Sequence, residues 1–286
     1  MGHGSYDYVQ RSTRSASKGY ATKQRDEIFE QNKKQEIHEG MRPQGIRYRE
    51  CRDSEAHPHA TPIMLFLDVT GSMGHIPHEL IKDGLPKLMS RLIENGVPDA
   101  ALMFGAIGDH KVDRYPLQVA QFESGDAELD MWLTRTFLES GGGGNGGESY
   151  HLAWYFAANH VKTDAFEKRG QKGFVFTVGD EPVHSTLDNH TIKEIMADAA
   201  VVEGKGYSSG DLLTAAQKSN HVFHIHIDHG QPFDPIWTEL LGENLIKTRD
   251  HTEIPKIISE KILQHLSKKE VKKEEVKPNK EEEEIL

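Results

Sequence analysis

Three oxygen-bearing side chains stand at every second position in the stretch PIMLFLDVTGSMG, residues 62–74: Asp68, Thr70 and Ser72. They follow an almost wholly apolar run, 62–67, and Gly71 and Gly74 loosen the backbone around them. Carboxylate and hydroxyl oxygens gathered on one short turn suit a hard divalent cation such as Mg2+, which takes six oxygens in near-octahedral geometry and keeps several waters. The same residue types also cap helices where a strand turns into a helix, and their spacing alone fits both readings. A second stretch invites a different ligand, because glycine-rich turns ahead of a helix can present backbone N–H groups to phosphate. The run GGGGNGG, 141–147, is not followed by Gly-Lys-Ser/Thr and has no lysine nearby. The expectation there is a mobile loop that lets the backbone pass close to a bound ion, not a nucleotide loop.

For the first turn to work, a strand must end at Asp68 and a helix must begin soon after. Residues 63–67 predict a buried strand. Residues 76–95 predict a helix with Leu80, Ile81, Leu85, Leu88 and Leu92 on one side, ended by Gly96 and kinked or broken at Pro86. The two signals keep alternating. Further strands are expected at 100–107, 117–122 (short, at an edge), 173–178, 221–227 and 244–248. Further helices are expected at 127–138, 149–162, 189–197, 209–219, 236–241 and 254–266. Such alternation, with near-continuous apolar strands, predicts a mostly parallel six-stranded sheet with helices on both faces. In sheets of this kind ligands bind beyond the carboxyl ends of the strands, where Asp68 stands.

Composition divides the chain in three. Residues 1–60 are rich in Arg, Lys, Gln, Ser and Gly and read as an extended, partly disordered arm, helical at most over 23–39. The alternative is an arm that docks on its own domain or a neighbour, helped by Tyr6, Tyr8, Ile46 and Tyr48. Residues 61–267 form the α/β body, and 268–286 are a charged low-complexity tail. The chain's net charge is −11, and the acidity lies in the body. An acidic body attracts cations and basic partners and repels nucleic acid. No apolar run approaches the ~20 residues a membrane span needs. The opening residues hold no stretch of the kind a secretion signal uses, and the single cysteine, Cys51, fits a reducing compartment. A cytoplasmic location without membrane or nucleic-acid contacts is the expectation.

The segment DVTGSM resembles the Asp-x-Ser-x-Ser portion of the metal-ion-dependent adhesion site (MIDAS) of von Willebrand factor A (vWA) domains, with Thr70 in the first hydroxyl position. Two further pieces resemble that family in the same order. FVFTVGDEPVH sets Asp180 just past the fourth strand, like the family's second aspartate. SGGGGNGGESYHLAWYFA resembles the loop that carries the family's threonine ahead of a helix. Counted back from Ala153 and Trp154, Glu148 takes that threonine's place, and Ser149 is the nearest hydroxyl. The resemblance covers 61–267 and implies a Rossmann-like vWA fold. It also implies a metal site in which Thr70 and Ser72 bind directly and Asp68 and Asp180 bind directly or through water. The implied ion is Mg2+, or Mn2+ or Ca2+, with one position left for an Asp or Glu of a protein partner. The implied function is binding, not catalysis. Intracellular members of the family often work beside AAA+ ATPases, which implies a multi-protein assembly. Glu148 departs from the family pattern. It is expected either to sit behind the ligands or to make the open position favour water or a neutral group.

HIHIDHG, residues 224–230, supports a competing reading. It resembles the H-x-H-x-D-H motif of metallo-β-lactamase-like hydrolases, where histidines and an aspartate hold zinc. The later ligands of that fold are not evident, and the stretch also reads as the fifth strand, with its histidines satisfied near a strand end. His75, His78 and His184 lie close to the motif turns. They are candidates for binding a partner, for tuning the site's response to pH, or for plain surface. A scaffold that binds through the arm is the third functional class.

Overall fold

The computed structural model describes residues 6–139, 146–197, 206–230 and 233–275. Most of the glycine run, 141–145, and the end of the tail, 276–286, lie outside the described residues.

Six strands build the main sheet: Thr61–Asp68 (β1), Ala100–Ile107 (β2), Leu117–Glu123 (β3), Gly173–Gly179 (β4), Asn220–Ile227 (β5) and Leu245–Thr248 (β6). Their order is β6-β5-β4-β1-β2-β3. Every neighbouring pair is parallel except β2 with β3, which places the one antiparallel strand at an edge. This is a Rossmann-like α/β fold. All eight residues of β1 are buried. The strand reads as a continuous apolar run because helices cover both of its faces. Ile63, Leu65 and Leu67 enter one core with the helices Leu85–Glu94 and Ile254–Glu275. Met64 and Phe66 enter the other, with Tyr150–Asn159 and Ser209–Gln217.

The chain leaves β1 for β2 on one side, and β4 comes back to β1's other side. The carboxyl ends of β1 and β4 therefore border the point where strand order reverses, which is where such sheets open a crevice. The helical stretch after Asp68 is interrupted as Pro86 requires. Ile76–Glu79 passes through a wider π-type turn, Leu80–Gly84, before Leu85–Glu94 resumes. Pro86 then sits in a first turn, where its missing N–H leaves no gap in the ladder.

The arm departs from the extended, partly disordered reading of 1–60. Tyr8–Ser17 is a helix whose first turn is capped by Asp7 Oδ1, which accepts from Val9 N and Gln10 N at 2.8 and 3.0 Å. Two short helices, Arg25–Ile28 and Glu30–Lys34, replace the weak helix at 23–39. Tyr20, Ile28, Phe29 and Met41 are buried in the same core as Ile63 and Leu65. Arg11 pairs with the buried Asp130 at 3.1 Å, and Lys18 Nζ donates to the same carboxylate at 2.7 Å. The Asn32 side chain bonds both the C=O and the N–H of Leu138, at 3.0 and 2.9 Å. The apolar residues of the arm are too sparse for a helical stripe. An arm laid on a finished body needs only a few anchors, and acidic residues of the helix Asp126–Thr134 receive its basic side chains. Arg49–Cys51 completes the docking as a short parallel pair with Val161–Thr163. At the other end the last helix runs on to Glu275, past the expected stop at 266. Among the described residues no helix is long and apolar enough to cross a membrane.

Candidate metal centre

In the sheet Leu67 of β1 pairs with Val178 of β4, and each strand then runs into an aspartate. At the first, the chain folds back on its own carboxylate. Asp68 Oδ1 accepts from Thr70 N at 2.9 Å and from Thr70 Oγ1 at 2.6 Å, the closure by which a short acidic side chain stands in for a backbone turn. Thr70 Oγ1 lies 3.3 Å from Ser72 Oγ. Ser72 Oγ in turn donates to Asp180 Oδ1 at 2.9 Å. Each hydroxyl gives its one proton to a carboxylate, so the two oxygens meet without a hydrogen bond and four oxygen-bearing side chains converge across the reversal point. A single 3-10 turn, Gly71–Met73, makes this possible by sending Met73 into the core while Ser72 stays exposed. Asp68 and Thr70 are buried, so the group is closed at its base and opens to solvent at Ser72.

Glu148 lies on the next loop. Its N–H donates to Pro182 O at 2.8 Å and its C=O accepts from His184 N at 3.2 Å, so the backbone stitches this loop to the one after Asp180. The carboxylate is buried, and Oε2 has no hydrogen-bond partner. Burial, and then the charge of Asp68, push the Glu148 carboxyl well above the usual carboxylate range. Asp68 is pushed up as well, chiefly by burial, with the charge of Asp180 adding to it. Ser149, the alternative hydroxyl, is committed elsewhere: its Oγ accepts from His110 N at 2.8 Å and lies 2.7 Å from His110 Nδ1.

Tyr150 is a site residue that the sequence reading missed. Its hydroxyl donates to Asp68 Oδ2 at 2.7 Å. It reaches that far because β4 ends in Gly179, where a Cβ would fall 1.8 Å from the tyrosine oxygen. A glycine set between an apolar strand and an aspartate is the signal that could have pointed to it.

This donor set fits a hard divalent cation. Every donor is oxygen, two carboxyl groups are held above their ordinary range by burial, and one buried carboxylate oxygen has no partner. Among the described residues no lysine or arginine pairs with Asp68, Glu148 or Asp180; His229 Nε2 approaches Asp180 Oδ2 at 3.5 Å. Buried carboxylates without a counter-charge are costly, and a cation offsets that cost.

The histidine-rich stretch is arranged differently. His224 is fully buried and stacked on Trp237, with ring centroids 3.6 Å apart and planes 7° apart. Its Nδ1 lies 2.9 Å from Thr177 Oγ1. His226 meets Phe233 edge-on at 4.9 Å. Burial holds both imidazoles below the ordinary histidine range. Asp228 pairs with Arg249 at 2.9 Å. Among the described residues two groups bring three His, Asp or Glu donor atoms together, His75–Glu79–His251 and Asp109–His110–His184, and residues 224–229 belong to neither. The zinc-hydrolase alternative therefore lacks a converging ligand set in this stretch.

The other flagged histidines separate. His184 is buried: its ring lies between Asp109 Oδ1, 2.8 Å from Nε2, and Lys111 Nζ, 3.1 Å from Nδ1. A lysine donating to Nδ1 fixes the ring proton on Nε2, so this imidazole clamps two loops together and has no lone pair free for a metal. Asp109, just past β2, was not singled out from the sequence. His78 is half-buried against Phe29, and His75 is exposed.

No family model matches the chain, and no curated protein matches it. Among solved structures, the pilus adhesin SpaC from Lactobacillus rhamnosus GG, in its open conformation, is 8% identical with a TM-score of 0.47. The match covers 75% of this chain and 31% of the adhesin. Proximal thread matrix protein 1 from the mussel byssus is 10% identical with a TM-score of 0.41, covering 74% of this chain and 48% of that one. The chain thus spans a third to a half of these proteins. Likeness at this level concerns the course of the backbone, not its chemistry.

Proposed function

We propose that the chain is a metal-dependent protein-binding module of the vWA type. In this reading Thr70, Ser72, Asp68 and Asp180 hold Mg2+, or Mn2+ or Ca2+, and Glu148 stands beside them. The observation that carries the reading is the convergence of two hydrogen-bonded pairs, Thr70 on Asp68 and Ser72 on Asp180, whose hydroxyl oxygens lie 3.3 Å apart and so bring two strand ends into one oxygen-lined recess. The bound ion would supply a positive centre able to accept a carboxylate oxygen from outside. The chain's own residues do the positioning. Tyr150 and the Thr70 amide orient the Asp68 carboxylate. The exposed Ser72 marks the side from which an acidic side chain of a partner protein would approach. The reading asks no nucleophile or general base of the chain. By resemblance the partner belongs to a cytoplasmic multi-protein assembly, with an AAA+ ATPase as the candidate, and neither nucleic acid nor membrane is involved.

Calorimetric titration with Mg2+ tests the ion site: one equivalent is expected for the wild type and none for Asp68→Ala. Binding of the partner should then be lost in EDTA. Equal recovery of a partner with and without chelator would remove the bridging role.

A further inference from the structure

A second group of metal-ligating side chains lies outside the oxygen centre. His75 and Glu79 stand four residues apart at the start of the helical stretch after the Asp68 turn, and so share one helix face. His251 arrives from the far end of the chain, in the turn His251–Glu253 that leads into the last helix. The fold fixes their meeting. Ile76 and Leu80 from one segment and Ile254 from the other are buried in one core, and Asp250 caps the His251 turn through Thr252 N at 2.9 Å. His251 Nε2 lies 2.7 Å from Glu79 Oε2, and His75 Nε2 lies 3.8 Å from Glu79 Oε1. The two imidazole rings are 5.5 Å apart and nearly perpendicular. One donor atom from each of the three residues lies within 4.8 Å of the others.

We propose that His75, Glu79 and His251 form a zinc site, with water as the fourth ligand. Two imidazole nitrogens and one carboxylate oxygen are a donor set for zinc in its three-ligand form, whereas Mg2+ and Ca2+ prefer oxygen throughout. Tetrahedral zinc with bonds of about 2.0–2.1 Å holds its ligand atoms roughly 3.3 Å apart. The present separations lie on both sides of that value. Closing the site needs small rotations of exposed side chains, because His75 and Glu79 are largely in solvent and His251 is half-buried. The open side leaves room for the water. Among the described residues neither histidine meets a lysine of the kind that locks the His184 ring. Zinc here would tie the helix that follows the oxygen turn to the start of the last helix, joining segments 172 residues apart in sequence. The exposed pair His190 and Glu194, 3.2 Å apart with the same four-residue spacing, belongs to no converging three-donor group among the described residues and serves as the internal control.

The test is calorimetric titration of the full chain with Zn2+ under saturating Mg2+, repeated with Co2+ and read by visible absorption. The wild type should bind one equivalent of Zn2+, give the intense absorption of tetrahedral cobalt, and gain thermal stability from zinc. Losing a direct ligand should exceed the ~10–100-fold that even outer-shell changes cost, so His251→Ala and Glu79→Gln should weaken zinc by about 100-fold or more. His190→Ala should leave it unchanged. These surface changes should not disturb folding, which a far-ultraviolet spectrum and the zinc-free melting temperature verify. Zinc bound with undiminished affinity by His251→Ala, or no zinc bound by the wild type, overturns the proposal.

Discussion

The turn after β1 and the end of β5 both look like metal sites on paper, yet they are built in opposite ways. Around Asp68 the polar atoms face one another, and the group opens to solvent at Ser72. Around His224 the rings face aromatic surface: His224 lies flat on Trp237 and His226 meets Phe233. Strand geometry explains the difference. Alternate residues within β5 point to one face, and that face is covered by the helix Ile236–Leu241, so histidines there become core. Asp68 at the very end of β1 is buried too, but its oxygens meet the hydroxyls of Tyr150 and Thr70 and the Thr70 amide, and not an aromatic face. A metal-like spacing inside a covered strand is therefore weaker evidence than the same residue types just past a strand's carboxyl end.

The largest expected effect separates the two regions by metal. Asp68→Ala should abolish Mg2+ binding, while His226→Ala should leave it unchanged; a loss on both would mean that the two regions share an ion. Next comes stability. His224→Ala removes a fully buried stacked ring and should cost about 2–4 kcal/mol in denaturant unfolding without changing Mg2+ affinity. A cost below ~1 kcal/mol would show that the ring is not part of the core.

The two regions should also respond to pH with opposite signs. The His224 pKa is depressed in the fold by burial, so its stabilising contribution is complete above the unfolded value near 6.5. That contribution falls away below it, by up to about 1.4 kcal/mol per pH unit. The Asp68 pKa is raised by burial, so the metal-free protein should lose stability as pH rises above the ordinary carboxylate value near 4. Melting temperatures of wild type and Asp68→Asn without metal, between pH 4 and 8, check this. The variant should show a shallower upper-pH decline, the remainder coming from Glu148, whose carboxyl is raised by burial as well, and Mg2+ should reduce the decline in the wild type; parallel curves would sink the assignment. The smallest effect concerns Glu148. Glu148→Thr removes a buried carboxyl with an unpartnered oxygen, and should tighten binding of a carboxylate ligand several-fold, about 1 kcal/mol. Loss of Mg2+ binding instead would make Glu148 a required ligand.

Much of this was legible in the chain itself. All six strands of the sheet stand within a residue or two of where they are expected: β1, β2 and β4 are apolar runs buried along their whole length, while β3 and β6 are the short strands at the two edges. The break near Pro86 was equally plain. Asp68, Thr70, Ser72 and Asp180 do come together, since strand ends in a parallel sheet are neighbours by topology. The hydroxyl contact of Tyr150 and the Asp109–His184 clamp were not legible. Each depends on a close approach between distant segments, which leaves only a glycine as its trace in the sequence: Gly179 under the Tyr150 hydroxyl, and Gly147 against the His184 ring. The arm's docking on its own body stood only as the alternative to a disordered arm, for a related reason. Phe29, Met41 and the Arg11–Asp130 pair owe their burial to the body beneath them and show no periodicity of their own.

The most direct test of the oxygen centre is a crystal soaked in Mn2+, examined by anomalous scattering. The account requires a peak in the recess bounded by Thr70, Ser72 and Asp180, absent from Asp68→Ala crystals. An empty recess in a fully soaked crystal, or a peak beside His224 and His226 in its place, would contradict it.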